Sequence, residues 1–124
     1  MSWQHFTERE LACSHCGACE MDKKFMKRLG ILRLAFGAPM IVSSGYRCPD
    51  HPIEARKDAP GAHATGSAVD IAVSGHAAHR LLKLALEYGF TGIGVQQRGD
   101  DRFLHLDTLP NSPGRPRPWV WSYA

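Results

Sequence analysis

His63 and Asp70 stand seven positions apart in residues 61–71, GAHATGSAVDI. An imidazole and a carboxylate so placed, at a loop-to-strand junction, read as two ligands of one zinc ion. Residues 61–65 are small and turn-prone. Residues 67–73 alternate, with Val69, Ile71 and Val73 on one face and Ala68, Asp70 and Ala72 on the other. A carboxylate in so apolar a run needs a partner to offset its desolvation, and a cation is a good one. A catalytic zinc takes three protein ligands and keeps a fourth position for water. The run Phe103-Leu104-His105-Leu106-Asp107 supplies the third, because alternation sets Phe103, His105 and Asp107 on one side of a strand and the two leucines on the other.

The remaining chain must hold these residues. Asp22 caps an expected helix over residues 23–36, with Phe25, Met26, Leu29, Leu32, Ala35 and Phe36 on its inner face and Gly37 as its stop. Residues 40–44 read as a short buried strand that delivers Ser44-Gly45-Tyr46-Arg47 to a cleft. Residues 52–60 lack periodicity and read as an exposed loop with solvated charges. Ser74 opens a second helix to Tyr88, with Ala77, Ala78, Leu81, Leu82, Leu84, Ala85 and Tyr88 inward and His76 and His79 outward. Residues 92–95 return to the sheet, and Arg98-Gly99-Asp100-Asp101 makes a hairpin turn into the His105 strand. The proline-rich tail, residues 109–124, carries Trp119 and Trp121, expected to close the core or wall the cleft, with stacking on sugar rings as the alternative.

With 124 residues, 44% of them hydrophobic, the chain is expected to form one domain with a modest core. A net charge of +3, scattered apart from Arg115 and Arg117, does not call for nucleic acid, although an anionic polymer such as the cell-wall glycan-peptide is compatible with it. No apolar run reaches the ~20 residues of a membrane span. The start, MSWQHFTERE, lacks the basic and apolar regions of a signal peptide. The product is therefore expected to be made in the cytoplasm and to act as a monomer. Residues 1–20 hold Cys13, Cys16 and Cys19, and a fourth cysteine lies at Cys48. They can staple the N-terminal segment to the Cys48 loop as a second metal site, as a disulfide or as plain thiols; three crowded into CxxCxxC, with no second tight pair, are not a standard zinc-ribbon pattern.

The runs SSGYRCPDH, GAHATGSAVDI, GIGV and FLHLDT, with the late Trp119, resemble the LAS group of zinc peptidases. That group comprises D-alanyl-D-alanine carboxypeptidases and dipeptidases, L-alanyl-D-glutamate endopeptidases and many phage endolysins. The resemblance covers most of the chain. Its pattern SxHxxGxAxD falls on Gly61, His63, Gly66, Ala68 and Asp70, with glycine in place of the serine. It implies an α+β fold like that of Hedgehog and D-Ala-D-Ala carboxypeptidases, here with about four antiparallel strands and packed helices. It also implies Zn²⁺ on His63, Asp70 and His105, hydrolysis of peptidoglycan stem peptides after release to the cell wall, and Arg47 as the group that holds substrate oxygens. Several members carry the general base three residues before the last histidine, where this chain has Arg102, which cannot accept a proton. Asp107 is the expected base, with Asp101 as runner-up and a role in orienting a ligand as the alternative for Asp107. Two other readings are a zinc-holding domain of this fold without catalysis, and a cysteine-zinc interaction module in which the His/Asp set is incidental.

Overall fold

The Asp22 carboxylate accepts the Phe25 N–H at 2.8 Å and starts a fourteen-residue helix, Lys23–Phe36, which Gly37 ends in the left-handed conformation. The computed structural model that shows this describes residues 5–55 and 61–123. Expectations for residues 1–4, 56–60 and 124 lie outside the described residues. Four helices are described: α1 (Glu8–Leu11), α2 (Lys23–Phe36), α3 (Pro52–Ala55) and α4 (Gly75–Glu87). Five strands accompany them, β1 (Ile41–Ser44), β2 (Ala68–Ala72), β3 (Gly92–Gln96), β4 (Phe103–Asp107) and β5 (Trp119–Ser122), in the order β1-β2-β4-β3-β5.

The architecture is α+β with a mostly antiparallel sheet, as expected, but with five strands rather than about four. The added strand comes from the tail, where Trp119–Ser122 pairs parallel to β3. Its register sets Trp121 beside Gly94 and Trp119 beside Gly92. Trp119, Trp121 and Tyr123 alternate there at the strand period, but the proline-rich chain that leads into them marked the segment as a tail. In the centre, β2 and β4 pair with Asp70 opposite His105, so two of the expected ligands are cross-strand neighbours.

One face of the sheet is core. Val69, Ile71, Leu104, Leu106 and Ile93 pack with Phe25, Leu29 and Leu32 of α2 and Leu81 and Ala85 of α4. The opposite face of β2 and β4 carries Asp70, Phe103, His105 and Asp107, which is the two-residue strand period at work. Three expectations need correction. β1 is not buried: it is an edge strand paired only with β2, and Ile41 is 66% exposed. Tyr88 caps the end of α4 in solvent instead of pointing inward. Residues 52–55 form a helical turn, and Glu54 is buried against Arg47 at 3.8 Å with the Gly61 N–H on its carboxylate at 2.8 Å, so its charge is not solvated. Among the described residues no helix is long and apolar enough to cross a membrane.

The sheet closes around a buried acid. Asp107 is 0% exposed and faces Gly92 across the β3–β4 pair. A Cβ on residue 92 would lie 2.2 Å from the Asp107 carboxylate. Gly92→Ala should therefore force the strands or the carboxylate to move and lower unfolding stability by about 2–4 kcal/mol in urea titration. A change within the fitting error would show that this close approach is relaxed in solution.

Candidate metal centre

His63 sits in a 3₁₀ turn, Ala62–Thr65, which Gly66 ends in the left-handed conformation just before β2. The turn is tied down by its neighbours: the Arg47 N–H donates to the His63 carbonyl at 3.2 Å, and Asp22 N–H to Gly66 O at 2.8 Å. The His63 Nδ1 lies 2.8 Å from the Gly45 carbonyl, which can only accept, so Nδ1 carries the proton and Nε2 is a bare lone pair. His105 is fixed in the same way with the nitrogens exchanged. Its Nε2 donates to Asp107 Oδ2 at 2.7 Å, leaving Nδ1 bare.

Those two lone pairs converge. His105 Nδ1 lies 3.3 Å from His63 Nε2, and both approach Asp70 Oδ1, at 3.1 and 3.2 Å. Three acceptors, all buried, face one another with no neutral donor among them, and only a cation resolves that arrangement. Ligand atoms of His63, Asp70 and His105 within 4.8 Å of one another form a metal-sized cluster. Two imidazole nitrogens and a carboxylate oxygen are a donor set that suits zinc. Without the ion, a proton takes its place. Burial acts to push His105 down, but Asp107 and Asp70 outweigh it and raise its pKa above the ordinary value. Burial likewise opposes the Asp70 charge, yet the two histidines hold its carboxyl well below the usual carboxylate range.

The cleft above the cluster, about 420 Å³, is walled by Arg47, Ile53, Ala62, Phe103, Trp121 and Tyr123 besides the three candidates. Arg47 reaches Asp70 and Glu54 at 3.8 Å each, so its guanidinium is anchored beside the cluster. Trp121 walls the cleft with its ring 5.0 Å from that of His105, whereas Trp119 is 54% exposed and does neither job expected of it. Burial raises the Tyr123 pKa, so its phenol keeps its proton.

The structure places the two acids suggested as bases elsewhere. Asp101 lies exposed in the β3–β4 turn and does not wall the cleft. Asp107 shares a strand face with His105, as expected, but its carboxylate is fully buried on the His105 nitrogen that points away from Asp70. It accepts from His105, from Leu109 N–H at 3.2 Å, and from both Nε and Nη2 of Arg117 at 3.0 and 2.8 Å. Burial opposes its charge, but His105 and Arg117 lower its pKa to about 2. In this geometry the Asp107 carboxylate holds the His105 ring in place and faces away from the cleft. Its folded pKa lies below the unfolded value, so its contribution to stability is full above the usual carboxylate range and fades as pH falls toward 2.

Sequence reasoning missed Arg117, Glu54, Tyr123 and the glycine pair. The available signal was in GIGV: glycine at both 92 and 94 of a strand clears one face. A Cβ at 94 would meet Trp121 Nε1 and Tyr123 Oη at 2.8 Å each.

A family model described as Peptidase M15 matches residues 4–107. None of the curated proteins matches the chain.

Replacing His63, Asp70 or His105 by alanine should each remove the metal held at this cluster, measured by elemental analysis of the purified protein. Because a proton occupies the cluster when metal does not, and the His105 pKa is raised, metal affinity should climb with pH through the neutral range. A pH-independent affinity between about pH 6 and 8 would contradict the lone-pair assignment.

Proposed function

The chain belongs to the Peptidase M15 family, and from that membership we propose that it is a zinc-dependent peptidase that cleaves peptidoglycan stem peptides, as an endolysin or a D,D-carboxypeptidase does. The observation that carries this reading is the convergence of the His63, Asp70 and His105 lone pairs at the floor of an open cleft, next to an anchored arginine. Zinc held there would supply a Lewis acid that polarises a peptide carbonyl and acidifies a water molecule.

The protein's own groups divide the remaining work. Arg47, fixed by Glu54 and Asp70, presents a planar fork to a substrate carbonyl or carboxylate. Trp121 and Phe103 offer apolar walls, and Tyr123 offers a protonated phenol as donor. Asp107 keeps His105 in the tautomer whose Nδ1 faces Asp70. Stem peptides suit such a cleft because they combine small side chains with free carboxylates. The cell wall is then the site of action.

A second reading, a metal-holding binding domain without catalysis, is favoured by one observation. Among the described residues, Asp70 is the only carboxylate that walls the cleft, and it already belongs to the cluster. One experiment separates the two: purified sacculi are treated with zinc-loaded protein and the soluble fragments are identified by mass. Peptide fragments that vanish with chelator and return with zinc support the enzyme; intact sacculi under metal-loaded conditions support the binding domain.

Arg47→Lys keeps the charge and loses the fork. Fragment release should fall roughly 10²-fold with little change in melting temperature. A large drop in melting temperature with undiminished specific activity would make Arg47 structural only.

A further inference from the structure

A second cluster lies on the far side of the Arg47 loop, built from two short chain segments that face each other. The first is Cys13-Ser14-His15-Cys16-Gly17, in which Gly17 adopts φ 78° and donates its N–H to the Cys13 carbonyl at 2.8 Å. The second is Cys48-Pro49-Asp50-His51, closed by His51 N–H on the Cys48 carbonyl at 3.0 Å. Read together they are CxxC and CxxH, so the second tight pair that the sequence reading did not find is Cys48 with His51.

The sulfurs of Cys13, Cys16 and Cys48 lie within 4.8 Å of one another. Among the described residues, neither Cys19 nor His51 is part of this group. The backbone already serves one of these sulfurs: the Cys48 N–H points at Cys13 Sγ at 3.3 Å. Such a donor stabilises a thiolate more than a neutral thiol. His51 is held apart from the trio, its Nε2 3.1 Å from Ser14 Oγ and its Nδ1 accepting the Ile53 N–H at 3.1 Å, so it supplies a fourth ligand only by releasing these contacts and turning toward the sulfurs.

We propose that Cys13, Cys16 and Cys48, with His51 turned in as the fourth ligand, form a structural zinc site, separate from the His63 cluster, that clamps the N-terminal segment onto the loop carrying Arg47. The clamp continues contacts already present. Tyr46 N–H donates to Leu11 O at 2.8 Å on one side of the loop, and on the other Gly45 O holds His63 while Arg47 N–H holds the His63 carbonyl. Metal at the sulfurs thus fixes the strand end from which the cleft takes its arginine. No step of the proposed peptidase reaction is assumed, so this site stands or falls independently of that function.

The test uses the full-length purified protein. Elemental analysis should give one zinc more than the His63 cluster accounts for, retained in His63→Ala. Replacement of zinc by cobalt(II) should give a thiolate-to-cobalt charge-transfer band in wild type and in His63→Ala. The band should be lost in Cys16→Ser, whose side chain is exposed and whose fold is checked by circular dichroism. In His51→Ala the band should persist while a chelator strips the metal faster; an unchanged rate overturns the four-ligand assignment. The proposal is overturned if the wild type holds no zinc beyond that lost in His63→Ala, or if the reduced protein gives no charge-transfer band. A native Cys13–Cys48 disulfide in unreduced protein, seen by peptide mass mapping, overturns it equally. The wild-type measurements require no variant to fold.

Discussion

The interaction on which the rest of this structure depends is the fully buried carboxylate of Asp107. A lone charge in that position would be prohibitive to desolvate. Four donors make it tolerable: the His105 ring, the Leu109 N–H and the two-pronged Arg117 guanidinium. Each donor commits a different part of the chain. Arg117 brings the tail back to the sheet, two residues before β5 begins. His105 is turned so that its free nitrogen faces Asp70. Gly92 surrenders its side chain to leave room. Removing Asp107 would therefore disturb the tail, the ligand tautomer and the sheet together, whereas a surface ion pair of the same chemistry would matter little.

The candidate metal centre is the consequence. Two histidines are locked in opposite tautomers by a carbonyl on one side and a carboxylate on the other, so both present lone pairs to the same oxygen of Asp70. The protein has arranged its hydrogen bonds to leave a cation-shaped deficit. Fixing ligands before the ion arrives lowers the ordering cost of binding, and the deficit makes an ion-free cluster depend on a proton. The Peptidase M15 relationship and this geometry point the same way: one is read from the pattern of residues along the chain, the other from where their nitrogen and oxygen atoms meet.

The loop between β1 and α3 joins the two clusters. Gly45 O orients His63, Arg47 faces the cleft, and Cys48 sits with Cys13 and Cys16, within four consecutive positions. β1 is an edge strand with an exposed outer side, so this loop receives little support from the sheet alone. Its order comes from contacts with α1, the 3₁₀ turn and buried Glu54.

Much of this was legible in the sequence, because the signals were local and periodic. The two-residue alternation of residues 68–72 and 103–107 fixed which side chains share a face, and therefore that Asp70 and His105 lie away from the leucines. Asp22 and Gly37 marked the ends of α2, because caps act within one turn. Other features depend on distance through space, which no local pattern encodes. Arg117 looked like a surface cation and Glu54 like a solvated loop acid until the fold set each against a charge of opposite sign. Asp107 shared the expected strand face, yet its carboxylate meets the back of His105 and the Arg117 guanidinium and not the cleft. Periodicity determines the face of a strand; only the tertiary structure, by supplying partners for each buried polar atom, decides what the residue on that face can do.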